Sequence, residues 1–139
     1  MSEQEAWTGG CQCGAVRYEI SSPPVELYVC HCRECQKQSS SAFGISAFFR
    51  RSDFRLTRGS IRSWTRDTDS GRRLRCNFCP DCGSRIWHED NEALEPVVSV
   101  KGGSLDRPPD LTRAVHTWVS RKLTGVVIPE GAAQFPYED

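Results

Sequence analysis

Charge of either sign is not in excess in this chain. Eighteen lysines and arginines balance eighteen aspartates and glutamates, which excludes a global attraction to nucleic acid or to a membrane surface. Long apolar runs are missing as well. No stretch approaches the ~18 apolar residues that cross a bilayer, so no membrane partner is expected. The opening MSEQEAWTGG has neither the basic region nor the apolar region of a signal peptide. A soluble, cytoplasmic protein is expected. Helical periodicity is nearly absent, and there is no internal repeat, linker or low-complexity tract.

What the chain does have is eight cysteines, eight prolines and eleven glycines in 139 residues. That length suits a single domain, here 1–139, burying about two-thirds of its unfolded surface. With 26% charged residues the apolar core is thin, so stability calls for something besides burial. In a reducing compartment eight cysteines point to metal or catalysis rather than to disulfides.

Period-two alternation is common. It predicts strands at AVRYEIS (15–21), VELYVC (25–30), DFRLTRGS (53–60), RRLRCNF (72–78), PVVSVKGGSL (96–105) and AVHTWVSRKL (114–123). Turns are predicted at SSPP, TDSG, KGG and RPPD. RECQKQS (33–39) has good helix formers and no apolar stripe, and one short helix is expected there. The expected fold is mainly β.

The cysteines fall into three groups. Cys79 and Cys82 lie in CPDCG, a zinc knuckle in form: Pro80 fixes φ, and Gly83 permits a left-handed residue. A redox C-x-x-C reading lacks the βαβ surroundings it needs. Cys11 and Cys13 are two apart, which in an extended strand puts both on one face. With Cys79 and Cys82 they make a closed Cys₄ set. A structural zinc there contributes roughly 10–16 kcal/mol, comparable to the ~5–15 kcal/mol of a whole domain.

Cys30, Cys32 and Cys35 form C-x-C-x-x-C in VCHCRECQKQ. Two come from a strand end and one from a first helical turn, where the helix dipole favours thiolate. Three protein ligands leave zinc a fourth, open position, the pattern of a catalytic site. Cys76 is left over. It reads either as a fourth ligand closing this second site, as a buried thiol, or as a substrate-facing thiol. Its strand parity with Leu74 and Phe78 argues for packing.

GGCQCGAVRYEI, CHCRECQKQSSSAFG, FCPDCGSRIW, VKGGSLD and the tail HTWVSRKL…IPEG…QFP together resemble the glutathione-dependent formaldehyde-activating enzymes. The likeness runs from about Thr8 to Pro136. It implies an Mss4-like β-tent of several short coiled antiparallel sheets, with zinc knuckles and one short helix. It implies that Cys11, Cys13, Cys79 and Cys82 hold a structural zinc and that Cys30, Cys32 and Cys35 hold a catalytic one, two Zn²⁺ per chain. The implied activity is that of a carbon–sulfur lyase, joining glutathione and formaldehyde as S-(hydroxymethyl)glutathione. Three positions depart from the pattern. Ser40 and Gly125 stand where glycine and tryptophan are usual, and Cys76 stands where arginine or another non-cysteine is commoner.

The chemistry this implies is delivery of a substrate thiol to the open zinc position and attack of its sulfur on a small aldehyde. The alternative is a non-catalytic, zinc-stabilised binding module with two closed Cys₄ sites. His31, between two ligands, reads as a packing or outer-face residue or as a proton shuttle. His88 and His116 carry no assigned role. Trp64, Trp87 and Trp118 read as core or cleft walls. Residues 50–75 hold nine arginines and three acidic residues, either solvated strand faces or a local field for an anionic thiol such as glutathione. Nucleic acid is disfavoured, because the run lacks closely interleaved aromatics.

Overall fold

A computed structural model describes residues 6–68, 71–90 and 96–138. Among these described residues ten strands form two sheets, with one α-helix beside them. The strands are β1 (Trp7–Gly10), β2 (Arg17–Ile20), β3 (Glu26–Cys30), β4 (Gly44–Arg50), β5 (Phe54–Arg58), β6 (Arg62–Asp67), β7 (Arg73–Phe78), β8 (Arg85–Asp90), β9 (Val97–Lys101) and β10 (Val115–Thr117). The helix α1 (Arg33–Ser39) follows β3 and coincides with the predicted RECQKQS. The small sheet has the order β1-β2-β5, and the large one β10-β3-β4-β9-β8-β7-β6. Pairing is antiparallel except for β10 against β3, which is parallel.

The core lies between the sheets. β2 shows the expected alternation: Val16, Tyr18 and Ile20 are buried against half-buried Arg17 and Glu19. They meet Ala47 and Phe49 of β4, Ile86 and Trp87 of β8, and Val98 and Val100 of β9. Cys11 and Cys79 belong to the same cluster, so half of one cysteine group is built into the core, while Cys13 and Cys82 are exposed.

Two predicted strands are shorter than their patterns. β9 ends at Lys101 because Gly102–Ser104 forms a 3₁₀ turn. β10 ends at Thr117 because Trp118 is left-handed, with φ +54°. β1, β4, β6 and β8 have no alternation clean enough to be predicted. In β8 the reason is Glu89, buried with its charge matched. It accepts from Trp87 Nε1 at 3.0 Å and from Arg75 at 3.0 Å, and pairs with Arg51.

Register sorts the faces of the large sheet, since directly paired residues share a side. One face turns to the core. The other carries Cys30, opposite Gly44, and Ser46, opposite Lys101. It continues through Ser99, His88, Cys76 and Trp64, each opposite the next. The chain leaves β3 at Cys30 and returns at Gly44 through α1. Gly44 suits that approach: a Cβ there would lie 2.8 Å from Gln38 Nε2 and 3.2 Å from Cys35 Cβ, so both would have to give way.

Candidate metal centres

The first centre is made by two knuckles of like construction. After β1, Cys11 N donates to Val16 O and Gly14 N to Cys11 O. After β7, Cys79 N donates to Ser84 O and Gly83 N to Cys79 O. Gly83 has φ +80°, the left-handed residue expected of CPDCG. Cys11 and Cys13 lie in a turn and not in an extended strand. What brings their sulfurs together is the turn closed by Gly14, not strand parity. The four sulfurs of Cys11, Cys13, Cys79 and Cys82 lie within 4.8 Å of one another.

These sulfurs suit a tetrahedral ion. Zinc–sulfur bonds of ~2.3 Å require sulfurs ~3.8 Å apart along a tetrahedral edge. Cys11 and Cys13 are 3.6 Å apart, and Cys13 and Cys79 3.8 Å. Backbone donors face them: Val16 N is 3.2 Å from Cys11 Sγ, and Asp81 N 3.3 Å from Cys79 Sγ. Ser84 Oγ sits 3.2 Å from Cys82 Sγ. The Ser84 hydroxyl and amide bring the Cys82 thiol down to about 5. The Ala15 N–H pulls Cys13 down, but Cys11, burial, Cys82 and Cys79 outweigh it and push that thiol up to about 12. Crowded thiols resist joint ionisation, and a cation among them offsets the repulsion.

The second group is Cys30, Cys32 and Cys35, again with sulfurs within 4.8 Å of one another. Cys30 ends β3, Cys32 is the extended N-cap of α1, and Cys35 lies in its first turn. Cys35 N donates to Cys32 Sγ at 3.3 Å, so the sulfur fills the place of a capping oxygen. The Cys30 and Cys35 thiols hydrogen-bond to Cys32 and draw it down to about 2, helped by the amides of Cys35 and Glu34. The same contacts push Cys30 and Cys35 up. A soft set of three sulfurs fits zinc chemically. Among the described residues no fourth cysteine, histidine or carboxylate joins the group.

Known proteins bear on this arrangement. A Halomonas elongata protein, provisionally named a glutathione-dependent formaldehyde-activating enzyme, is 31% identical over 130 residues, covering 86% of this chain and 79% of its own. A crystal structure of a Rhodobacter sphaeroides protein has the same fold, with a TM-score of 0.55 at 23% identity, covering 92% of this chain and 98% of that one. The family described as glutathione-dependent formaldehyde-activating enzyme matches residues 6–121. The chain belongs to this family.

The chain's departures from the family pattern have structural readings. Ser40 caps α1 in the left-handed region, with φ +51° and ψ +42°, the conformation that makes glycine usual there. Gly125 has φ +100°, which a tryptophan would not adopt without strain. Cys76 is fully buried, opposite His88 and Trp64, and stands apart from the trio. The packing reading of Cys76 therefore agrees with its position, and burial pushes its thiol up.

His31 is fully buried. It stacks on His116 at 5.2 Å, with Nε2 2.9 Å from His116 Nδ1, and meets Phe43 edge-on. It is a packing residue and not an outer-face one. Trp87 lies in the core, Trp64 is exposed, and Trp118 packs edge-on with Tyr137.

Other residues near the trio have no motif signal. Gln36 is the one buried residue of α1. Its amide donates to His31 O at 2.9 Å and to Arg121 O at 3.0 Å. It therefore clamps the C-x-C backbone to the C-terminal segment. Lys101 shares the trio's sheet face and donates to Ser46 Oγ at 3.1 Å. Burial lowers its pKa, opposed by the nearby thiols Cys35, Cys30 and Cys76. A cleft of about 890 Å³ runs from Gln38–Ser40 past Lys101 to Cys11 and Cys82, joining the neighbourhoods of both groups. Lys101 enters it from a β-strand some 70 residues beyond the trio, a distance in sequence that periodicity does not bridge.

Proposed function

We propose that this chain is a zinc-dependent carbon–sulfur lyase that condenses a glutathione-type thiol with formaldehyde or a related aldehyde, or cleaves the adduct. In this reading it acts as a single cytoplasmic domain with two zinc sites. Cys11, Cys13, Cys79 and Cys82 hold the structural ion, and Cys30, Cys32 and Cys35 hold the catalytic one. Zinc, when bound there, makes a thiol brought to it more acidic at neutral pH.

The observation that carries the reading is the gathering of three sulfurs with no fourth donor among the described residues. Three protein ligands are what an open catalytic position requires. The amide of Cys35 and the clamp of Gln36 hold this trio in place. The 890 Å³ cleft is lined by Gln38, Ser39 and Ser40 at the end of the trio's helix, though by none of the three cysteines; its volume is within the usual range for an organic ligand, and Lys101 gives it a positive wall. The thiol's sulfur bonds to the aldehyde carbon. The carbonyl π pair moves onto oxygen, and the proton released by the thiol ends there.

The competing reading, a binding module with two closed Cys₄ sites, needs Cys76 as a fourth ligand. Its position apart from the trio disfavours that reading. The test is a glutathione-plus-formaldehyde assay with metal counting. The wild type is expected to hold two zinc ions and to accelerate adduct formation. Cys32→Ser is expected to keep one ion, stay folded and lose the acceleration. An unchanged rate in Cys32→Ser would rule out the trio as the active site.

A further inference from the structure

A second, smaller cleft lies on the same face of the large sheet as the trio. It measures about 220 Å³ and is lined by Glu34, Lys37 and Gln38 of α1, Trp64 and Arg66 of β6, and Arg85 of β8. Trp64 and Arg66 share strand parity with each other, and Trp64 sits opposite Cys76. Gln38 and Arg85 also line the larger cleft, so the two are neighbours. Gln38 lies near Cys35: its Nε2 and Cys35 Sγ are 2.8 and 3.5 Å from the point where a Cβ on Gly44 would sit. Gln38 therefore lines the small cleft and neighbours Cys35.

Its electrostatics are unusual for this protein. Of the nine arginines in residues 50–75, Arg50, Arg51, Arg55, Arg72, Arg73 and Arg75 pair with carboxylates, so most of the basic run is neutralised in place. Arg66 has no carboxylate partner among the described residues, and bonds only to Asp67 O at 3.4 Å. Arg85 likewise has none. It donates to His88 Nε2 at 3.0 Å and stands 5.8 Å from the centre of the Trp64 ring. Trp64 is 53% exposed, although it faces its neighbours across a sheet. Three cationic residues and one anionic residue thus surround an exposed indole face. Formaldehyde carries no charge for the cationic residues to pair with.

We propose that this cleft is a subsite for a small carbonyl substrate that carries a carboxylate. The carboxylate lies toward Arg66 and Arg85, the body of the molecule lies against Trp64, and the carbonyl carbon points past Gln38 toward the trio. This deepens the reading of the chain as a thiol–aldehyde enzyme and rests on it. An aldehyde acid or oxo acid is then preferred to formaldehyde. The step is balanced without a further reagent: the S–C bond forms, the C=O π bond opens, and the thiol proton passes to oxygen. The volume is below the ~300–1,000 Å³ of drug-sized sites and suits a molecule of this size. Arginine pairs matched to a carboxylate provide the charge-assisted, planar recognition the ligand needs.

The test has a binding arm and a rate arm, both on the zinc-loaded full chain. In the first, benzoate and benzamide are titrated by ligand-observed NMR. Benzoate is expected to bind, benzamide about tenfold or more weaker, and Arg66→Gln to lose about tenfold of the benzoate affinity. In the second, glutathione addition to glyoxylate and to formaldehyde is compared. Arg66→Gln is expected to lower kcat/KM for glyoxylate about tenfold and leave formaldehyde within twofold. Equal binding of benzoate and benzamide, or an equal loss for both aldehydes, overturns the proposal. Charge-selective binding without acceleration of either aldehyde leaves the anion subsite standing and overturns the lyase reading instead, so the two failures are distinguishable.

Discussion

Replacing Gln36 by leucine tests how the trio is held. The two shapes are similar, but leucine has no donor. Its loss strips two carbonyls, His31 O at 2.9 Å and Arg121 O at 3.0 Å, of ordinary-length hydrogen bonds in a buried place. Each such loss costs about 1–3 kcal/mol. The leucine gains back part of this by burying apolar surface, at most about 1.5–3 kcal/mol. The net expectation is a loss of about 1–3 kcal/mol, read as a lower urea midpoint at unchanged slope. A second effect is local. His31 O belongs to the peptide between Cys30 and Cys32, so the trio loses its alignment. Partners of this kind, one shell out from a metal, are worth about 10–100-fold in metal affinity. Competition titrations with cobalt(II), read from the thiolate charge-transfer bands, are expected to show the second site weakened by that factor and the first unchanged. Gln36→Glu, which keeps the acceptor for Arg33 but not the donor, is expected to behave at least as badly. If stability falls as worked out while both sites keep their affinity within twofold, Gln36 does not position the trio. If stability does not fall, the two carbonyls do not depend on it.

Two further outcomes follow from particular residues. Ser40→Gly removes a side chain from the left-handed region, where an L-residue costs about 1–2 kcal/mol; glycine's extra unfolded entropy takes back about 0.5–1 kcal/mol. A net gain of about 0–1.5 kcal/mol in urea unfolding is expected, and a loss of stability would show that Ser40 is not strained there. His88 is held down to about 2 by burial first, then by Lys101, Arg85 and Arg66. The unfolded state therefore binds one more proton than the folded state between pH ~6.5 and about 2, and His88's contribution, complete above pH ~6.5, is lost as pH falls through that window. Compared with His88→Gln, the wild type is expected to lose up to about 1.4 kcal/mol more per pH unit below pH ~6. Parallel pH profiles would show that His88 ionises freely in the fold.

The cysteine spacing is local information, and it sorted the sulfurs into the two groups that the fold gathers. C-x-C and C-x-x-C-G each bring two sulfurs together within one turn, whatever happens elsewhere. The helix at 33–39 was legible because its good helix formers are consecutive in the chain; its Cys32 cap emerged only in the structure. Strand alternation was legible where one face is wet, as in β2. It failed in β4 and β8, which lie inside the large sheet and bury residues on both sides. Charged residues such as Glu89 are affordable there only because distant arginines and Trp87 meet them.

Which arginines are neutralised was a matter of tertiary structure alone. By sequence the run 50–75 is one basic stretch; in the fold six of its nine arginines form ion pairs, and Arg58, Arg62 and Arg66 have no carboxylate partner among the described residues. The position of Cys76 was decided in the same way, because a thiol's distance from a metal group depends on how β7 is placed relative to α1. Sequence by itself determined the donor types and their pairing within each turn, because those follow from a few consecutive backbone angles. The clefts, the Gln36 clamp, and the approach of Lys101 to the trio required the fold, because each joins residues tens of positions apart through tertiary contacts that no local pattern encodes.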